Sequence, residues 1–294
     1  MKLIIADIIS LIRVRQWYKN LVLLLPLLFV GHLFVFSETI LALEGFFILC
    51  LLYAAVYVFN DIIDRHKDAA HPEKCTRPVA SKRISVGSGL LIGSVLLLVA
   101  LIGSYVLSRG FFVVMLVILG VNIVYTFLLK EVLFADILMI ATLFVLRAVS
   151  GAVLISVTVS PWLILCPFFL SLFLSVGKRH GDVVLMGDKA AKTREVLRGY
   201  TPEITSGLMM ISTTLLIMSY ALYCFLSDHR FLLLSLPFGL FVVFRYYYLI
   251  TSGSDVARHP ERMFRDIPLM VGVFLWGIVT GGVLYFSTLL QIIF

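Results

Sequence analysis

Nine apolar stretches, each long enough to cross a lipid bilayer as a helix, dominate this chain. They lie at 20–37, 40–60, 86–107, 111–129, 132–155, 160–177, 204–226, 230–250 and 268–292. Of the 294 residues, 61% are hydrophobic and 14% are charged, against roughly 25% charged in an average soluble protein. We therefore predict an all-α polytopic membrane protein, with nine transmembrane helices in a single integral membrane domain over residues 1–294.

Short polar turns alternate with longer charged loops between these stretches. The predicted long loops are 61–85, 178–203 and 251–267. Twenty of the 24 Lys and Arg residues fall on the side of these loops and of the N-terminus. Because cytoplasmic loops carry the excess of Lys and Arg, we expect this side to face the cytoplasm, in a cell inner (plasma) membrane. The net charge of +7 then indicates no nucleic acid partner.

The first 19 residues are too polar to form a span. Isoleucines recur at helical spacing between Ile4 and Ile12, and three cations follow at Arg13, Arg15 and Lys19. This pattern is typical of an amphipathic helix that lies in the interface of the membrane. We expect residues 1–19 to form such a helix on the cytoplasmic side.

The polar stretch from Asn60 to Asp68, N-D-I-I-D-R-H-K-D, ends an apolar run that begins at Ile40. On one continuous helix, Asn60, Asp64 and Asp68 form a single polar stripe, with Asp61 beside it. Three carboxylates so close together repel each other, and a hard divalent cation is their natural partner. The alternative is a solvated acidic helix end just outside the bilayer. The spacing favours a metal site near the cytoplasmic face.

Cations follow the acidic stretch in the same predicted loop, at Lys74 and Arg77. Together with a metal at the carboxylates, they favour an anionic ligand such as a diphosphate. The alternative is the ordinary positive charge of a cytoplasmic loop, which is the simpler explanation for these two residues alone.

Three further places carry charge close to or within the predicted spans. Tyr125 to Asp136 surrounds Lys130 in a short turn, and Arg147 lies deeper in the next span. A cation inside a membrane needs a partner in the bundle or a ligand anion, and both explanations stay open. Lys178 and Arg179 end another span, where they suit either a phosphate or the negative end of the helix dipole.

The stretch from Asn60 to Asp68 resembles the first Asp-rich motif of the UbiA superfamily of intramembrane prenyltransferases, N-D-x-x-D-x-x-x-D. Other motifs resemble the branch of that superfamily that makes polyprenyl-phosphate phosphoribose. They are R-Q-W-Y-K-N (15–20), A-H-P-x-K-x-x-R-P (70–78), Y-x-x-x-L-K-x-x-x-x-x-D (125–136), L-R-A-x-x-G (146–151) and G-K-R (177–179). Where a second D-x-x-x-D is usual, this chain has G-K-R-H-G-D, which favours a phosphoribosyl donor over a prenyl diphosphate.

The resemblance implies a site built from the polar residues already noted. It implies Mg²⁺ as the cofactor, with four ligands: Asn60, Asp61, Asp64 and Asp68. The three aspartates are also the expected catalytic residues. The residues expected to hold the phosphates of donor and acceptor are Lys19, Tyr57, Lys74, Lys130 and Arg147. The expected substrate site further includes Arg77, Tyr125, Asp136, Lys178 and Arg179.

The implied reaction transfers 5-phosphoribosyl from phosphoribosyl diphosphate (PRPP) to a polyprenyl phosphate of decaprenyl type, with inversion at ribose C1. The products would serve as precursors of cell-wall or surface polysaccharide. The alternative within the superfamily is a prenyltransferase that joins a polyprenyl diphosphate to an aromatic acceptor. A transporter is disfavoured because most charges cluster at one face rather than at the bilayer midplane. The partners are thus the membrane, PRPP and the lipid phosphate, and a homo-oligomer is left open.

Overall fold

The computed structural model describes residues 2–71, 73–187, 195–254, 256 and 260–293, and these residues form helices without any strand. The α-helices are α1 Lys2–Leu11, α2 Leu25–Phe29, α3 Phe36–Ile63, α4 Arg65–Ala69, α5 Val86–Leu107, α6 Arg109–Val124, α7 Ala135–Leu154, α8 Pro161–Met186, α9 Pro202–Leu226, α10 Leu236–Thr251 and α11 Ile267–Ile293. Shorter 3₁₀ segments are Val14–Leu24, Lys74–Thr76, Glu195–Gly199, Arg230–Ser235 and Pro260–Arg265. The prediction of an all-α protein is confirmed.

Within this described part of the chain, eight helical stretches are long and apolar enough to cross a membrane. They correspond to eight of the nine predicted spans, which agrees with a polytopic membrane protein. The first predicted span, 20–37, takes a different form, because it is divided between the end of the 3₁₀ segment Val14–Leu24 and the short helix α2. Gly31, with φ +85°, lies in the turn after α2, where the left-handed backbone ends the helix.

Two predicted boundaries differ from the observed ones. The N-terminal helix ends at Leu11 rather than continuing to residue 19, because Arg13 adopts the left-handed conformation with φ 50°. Helix α8 continues past Gly177 to Met186, well beyond the predicted end at residue 177. Gly177 does not break α8, since its bare backbone packs against the side chain of Ile250, where a Cβ would lie 2.4 Å from a methyl carbon.

The chain packs as two compact units. The first unit comprises Met1–Leu27, Leu33–Phe127 and Leu146–Thr158. Within it, α3 packs along α5, and small residues of α5 allow close approach: Gly93 meets Phe59, and Gly103 meets Ile48. Most residues of α3 between Leu49 and Ile62, the part that leads to its polar end, are buried.

The second unit comprises Leu28–His32, Leu128–Val145 and Val159–Phe294. Within it, α8 packs along α9, and α10 packs along α11. The core of this unit includes Phe173 and Tyr246, whose rings meet edge to face with centroids 5.5 Å apart.

Candidate active site

The acidic stretch lies where α3 ends and the short helix α4 begins, in the first unit. The backbone N–H of Asp64 donates to the carbonyl of Asn60 at 2.8 Å, and Asp64 then leaves helical geometry with ψ 0°. Asp68 therefore lies on α4 and not on a continuation of α3. The single polar stripe expected from the sequence is thus divided. Asn60 and Asp64 are half-buried, one turn apart, whereas Asp61 and Asp68 are buried.

Two arginines neutralise the two buried carboxylates. Asp61 is 2% exposed and accepts hydrogen bonds from Arg13 and, at 3.1 Å, from Arg77. The same nitrogen of Arg77, Nη1, donates to Asp68 at 2.6 Å. Arg77 therefore bridges two carboxylates that would otherwise repel each other, and the cluster of Arg13, Asp61, Arg77 and Asp68 has no net charge. We call these four residues the ion-pair cluster.

Arg13 reaches the cluster from outside the predicted motif. Its guanidinium carbon lies 4.7 Å from the centroid of the Tyr57 ring, one turn before Asp61 on α3, in a cation–π contact. Tyr57 itself is half-buried. The predicted site residue Tyr57 thus lies beside Asp61, and its aromatic face orients an arginine.

The helical turn that follows α6 supplies a hydrogen bond to the other side of the motif. The hydroxyl of Thr126 donates to Oδ1 of Asn60 at 3.1 Å. Thr126 belongs to a π-helical turn, Tyr125–Leu129, and turns of this kind are frequent at functional sites. Because the amide oxygen of Asn60 accepts this bond, the orientation of the Asn60 side-chain amide is fixed. Tyr125, another predicted site residue, is half-buried at the start of the same turn.

Lys74 and Lys19 are both half-buried in the first unit. Lys74 begins the 3₁₀ turn Lys74–Thr76, whose backbone is held by His71, since Nδ1 of His71 accepts from the N–H of Lys74 at 3.3 Å. Burial, with the nearby Lys74 charge as a further cause, lowers the pKa of His71 below its ordinary value. A neutral His71 can accept this bond, so the imidazole helps to shape the loop that carries Lys74.

Arg147 is buried in the interior of the first unit. Its Nε donates to Oδ1 of Asn20 at 3.0 Å, and its guanidinium carbon lies 3.9 Å from the centroid of the Tyr53 ring. Asn20 in turn donates to the sulfur of Cys50 at 3.2 Å. These contacts join α7 to the 3₁₀ segment that carries Lys19. A partner within the bundle, one of the two explanations open for Arg147, is therefore present.

The remaining predicted site residues belong to the second unit. Arg179 is 4% exposed and donates through Nε to Asp136, which is fully buried, at 2.9 Å. Tyr200 donates to the other oxygen of Asp136 at 2.7 Å, while Lys130 is half-buried and Lys178 is exposed. Burial, and next the hydrogen bond to Asp136, raises the pKa of Tyr200 above its ordinary value. Tyr200 therefore keeps the proton that it donates.

A hard divalent cation suits the oxygen donors of the acidic stretch. In the part of the chain that the structure describes, no three His, Cys, Asp or Glu side chains converge as a ready-made metal site. Mg²⁺ usually takes one or two protein carboxylates and completes its shell with substrate phosphates and water. The amide oxygen of Asn60 and the carboxylate of Asp64, one turn apart, fit such a shared site.

Sequence reasoning missed Arg13, Thr126 and Tyr200 as members of these clusters. The sequence places Arg13 among the cations of an interfacial helix, and only its contact with Asp61 assigns it to the cluster. Nothing in the sequence around Thr126 or Tyr200 indicates their partners, which are more than 60 residues away in both cases.

Comparison with known proteins places these features in a family. The model of the UbiA prenyltransferase family matches residues 21–267. A decaprenyl-phosphate phosphoribosyltransferase of Mycolicibacterium smegmatis is 30% identical, with 97% of this chain and 95% of the relative covered. A protein of the same name from Corynebacterium glutamicum is 33% identical over 76% of this chain and 70% of its own length.

Solved structures show the same fold. A UbiA homologue from Archaeoglobus fulgidus bound to GPP and Mg²⁺ is similar with a TM-score of 0.69 and 19% identity, over 93% of this chain and 99% of that one. A digeranylgeranylglyceryl phosphate synthase has a TM-score of 0.63, with 18% identity, over 94% of this chain and 98% of the other. Since the family model covers most of the chain and a full-length relative shares 30% of its residues, the chain belongs to the UbiA prenyltransferase family.

Proposed function

We propose that this membrane protein transfers the 5-phosphoribosyl group of PRPP to a polyprenyl phosphate of decaprenyl type and releases diphosphate. The observation that carries the proposal is its similarity, over 97% of its length, to decaprenyl-phosphate phosphoribosyltransferases. The product would be a precursor of cell-wall or surface polysaccharide. The reaction takes place at the cytoplasmic face of the inner (plasma) membrane, where the N-terminus also lies, in keeping with the distribution of Lys and Arg.

The end of α3 binds the diphosphate of the donor. Asn60 and Asp64 would hold Mg²⁺, with Asp61 and Asp68 in support, and the ion, when bound, would supply positive charge beside the departing diphosphate. Arg77 and Arg13 orient the two supporting carboxylates, and Thr126 orients the amide of Asn60. These contacts fix the oxygen donors before the substrate arrives, so that little reorganisation accompanies the reaction.

The chemistry at ribose C1 follows from the loss of the diphosphate. As the C1–O bond to diphosphate lengthens, C1 gains the oxocarbenium character that is general in glycosyl transfer. An oxygen of the lipid phosphate attacks C1 from the opposite face, which inverts the configuration. A phosphate monoester with its second pKa near 6 is largely dianionic at neutral pH, so the nucleophile needs no general base. The protein supplies position and charge.

The phosphates of both substrates need cations and hydrogen-bond donors. In the first unit, we assign four half-buried residues to the binding of these phosphates: Lys19, Tyr57, Lys74 and Tyr125. Lys130 and Lys178 have this role in the second unit. Arg147, Arg179 and Asp136 already have buried partners, so we assign them to the support of the site.

The second unit favours a phosphoribosyl donor over a prenyl diphosphate. Arg179 lies 2.9 Å from Asp136 and 3.7 Å from Asp182, so one guanidinium contacts both carboxylates. Where a second D-x-x-x-D is usual in the superfamily, this unit has the cation Arg179 in a buried pair with Asp136, which supports a reaction with a single acidic metal motif.

The test uses purified protein in detergent with Mg²⁺ and two donors in parallel. One reaction contains labelled PRPP and decaprenyl phosphate, and the other contains labelled polyprenyl diphosphate and an aromatic acceptor such as 4-hydroxybenzoate. We expect mass spectrometry to find lipid-linked phosphoribose in the first reaction alone. A prenylated aromatic product, without lipid-linked phosphoribose, would establish the prenyltransferase alternative instead.

A further inference from the structure

Arg13 occupies an unusual backbone position beside the acidic stretch. It joins α1 to the 3₁₀ segment Val14–Leu24 with φ 50° and ψ 50°, in the left-handed region. A residue other than glycine adopts this conformation at a cost, and such residues concentrate at functional sites. Here the turn directs the guanidinium to Asp61 and to the face of the Tyr57 ring.

Contacts of helix α1 with two other parts of the first unit hold Arg13 in position. Leu11, at the end of α1, is fully buried in a cluster with Val58 and Ile62 of α3. Asp7 of α1 pairs with Arg83, which also donates to the carbonyl of Thr76. Helix α1 is therefore fixed to α3 and to the loop that carries Lys74 and Arg77, and Arg13 is held at the ion-pair cluster.

The charge of Arg13 decides the net charge of that cluster. Asp61 and Asp68 carry two negative charges, and Arg13 and Arg77 carry two positive ones. With Arg13 present, the neutral cluster adds no attraction for a divalent cation to that of the neighbouring Asp64 carboxylate. A diphosphate changes the balance, because its negative charges are attracted by Arg13 and in turn attract the metal. Without Arg13 the cluster carries one negative charge, which favours the metal and disfavours the diphosphate.

We propose that Arg13 is a positioning residue that makes binding of the divalent cation depend on binding of a diphosphate. It keeps the ion-pair cluster neutral, so the metal and the diphosphate bind together rather than the metal first. The proposal rests on the assignment of the acidic stretch as a metal–diphosphate site under the proposed function. It does not depend on which group is attached to the diphosphate.

The experiment measures ligand-induced thermal stabilisation of the purified protein with Mg²⁺ alone, inorganic diphosphate alone, and both. Arg13→Gln should bind Mg²⁺ alone about tenfold more tightly than the unchanged protein and diphosphate alone about tenfold more weakly. A residue that only stabilises the fold would weaken both. Equal Mg²⁺ and diphosphate affinities in the variant and the unchanged protein would overturn the proposal, as would a loss of both.

Two controls separate charge from anchoring. Arg13→Lys keeps the charge and should keep the weak binding of Mg²⁺ alone. Arg83→Gln removes an arginine that anchors α1 but leaves the Arg13–Asp61 pair, so it should leave both affinities unchanged. If Arg83→Gln alters them in the same directions as Arg13→Gln, anchoring and not charge is the cause, and the proposal fails.

A second comparison covers the case in which Arg13→Gln does not fold because Asp61 loses a partner. Asp61→Asn and the double variant Arg13→Gln/Asp61→Asn both lack the buried carboxylate, and they differ only in the Arg13 charge. The double variant should bind inorganic diphosphate about tenfold more weakly than Asp61→Asn. Equal affinities would overturn the proposal. Neither experiment uses PRPP or a lipid. The results on Arg13 would therefore stand even if the protein did not transfer phosphoribosyl groups.

Discussion

Arg77 donates through one nitrogen to two aspartates, Asp61 at 3.1 Å and Asp68 at 2.6 Å, across the break between α3 and α4. This bridge joins two residues of the acidic stretch that a continuous helix would place on one face but two turns, about 10 Å, apart. It also fixes the loop of Lys74 against the end of α3. The bridge therefore determines the shape of the candidate site before any ligand binds.

Removal of this bridge should weaken both the fold and the reaction. Arg77→Met leaves two buried carboxylates with one arginine between them, which we expect to cost about 2–3 kcal/mol of unfolding free energy. Transfer activity should fall at least about a hundredfold, because the carboxylates of Asp61 and Asp68 are no longer held in a fixed orientation. Thermal unfolding in detergent and the PRPP assay measure the two effects. Arg77→Lys, which keeps the charge, should lose less stability; a stable and active Arg77→Met would contradict the bridging role.

The hydrogen bond from Thr126 to Asn60 should lower the Mg²⁺ concentration that the reaction needs. Thr126→Val keeps the shape of the side chain and removes the donor, which is typically equivalent to about 1 kcal/mol. We expect the Mg²⁺ concentration for half-maximal activity to rise about fivefold, with little change in thermal stability. Thr142→Val is the matched control, since the hydroxyl of Thr142 donates to the helix backbone at Leu138. An unchanged Mg²⁺ requirement in Thr126→Val would contradict this role.

Gly151 is where α7 meets the backbone of the 3₁₀ segment Val14–Leu24. A Cβ at this position would lie 1.9 Å from the carbonyl oxygen of Leu23. Gly151→Ala should therefore lower the unfolding free energy by about 2–3 kcal/mol, as in other overpacked cores. Gly120→Ala is the control, because a Cβ there meets nothing within 4 Å. Thermal unfolding of both variants checks the prediction, and equal stabilities would show that the segment is not held at this glycine.

The hydroxyl of Tyr200 should contribute to stability in a manner that depends on pH. Tyr200→Phe leaves one oxygen of buried Asp136 without its donor, at a cost of about 1–3 kcal/mol. Because the pKa of Tyr200 is raised in the fold, the stabilisation is complete below the unfolded pKa of about 10 and is lost as pH rises through the folded value. The difference in melting temperature between the two proteins should thus be constant up to about pH 9 and shrink only above it. A difference that shrinks between pH 6 and 8 would contradict this assignment.

The sequence predicts the spans well because membrane insertion imposes length and composition on each helix. Eight predicted spans match observed helices for that reason. The polarity of Lys178 and Arg179 predicts that the span ends at residue 177, but α8 continues to Met186. Arg179 remains helical at low exposure since Asp136 neutralises it, and such a partner is visible only in three dimensions.

The acidic stretch was also recognisable from sequence, whereas its internal pairing was not. A continuous helix predicts that Asp64 and Asp68 share a stripe, but the backbone turns at Asp64. The partners of Asp61 come from a distant arginine and from a loop, Arg13 and Arg77. The spacing of residues along the chain predicts which side chains share a helix face. It does not predict which cation from a distant segment will contact that face.

Phosphoribosyl transfer at the end of α3 is tested most directly by Asp64→Asn beside His66→Ala. Both residues lie within the acidic stretch, but His66 is exposed and has no assigned role. With labelled PRPP, Mg²⁺ and decaprenyl phosphate, label should enter the lipid fraction with the unchanged protein and His66→Ala. With Asp64→Asn, transfer should fall by at least about 10³-fold while the melting temperature stays the same. Full transfer by a folded Asp64→Asn protein, or no transfer from PRPP by the unchanged protein, would contradict the account.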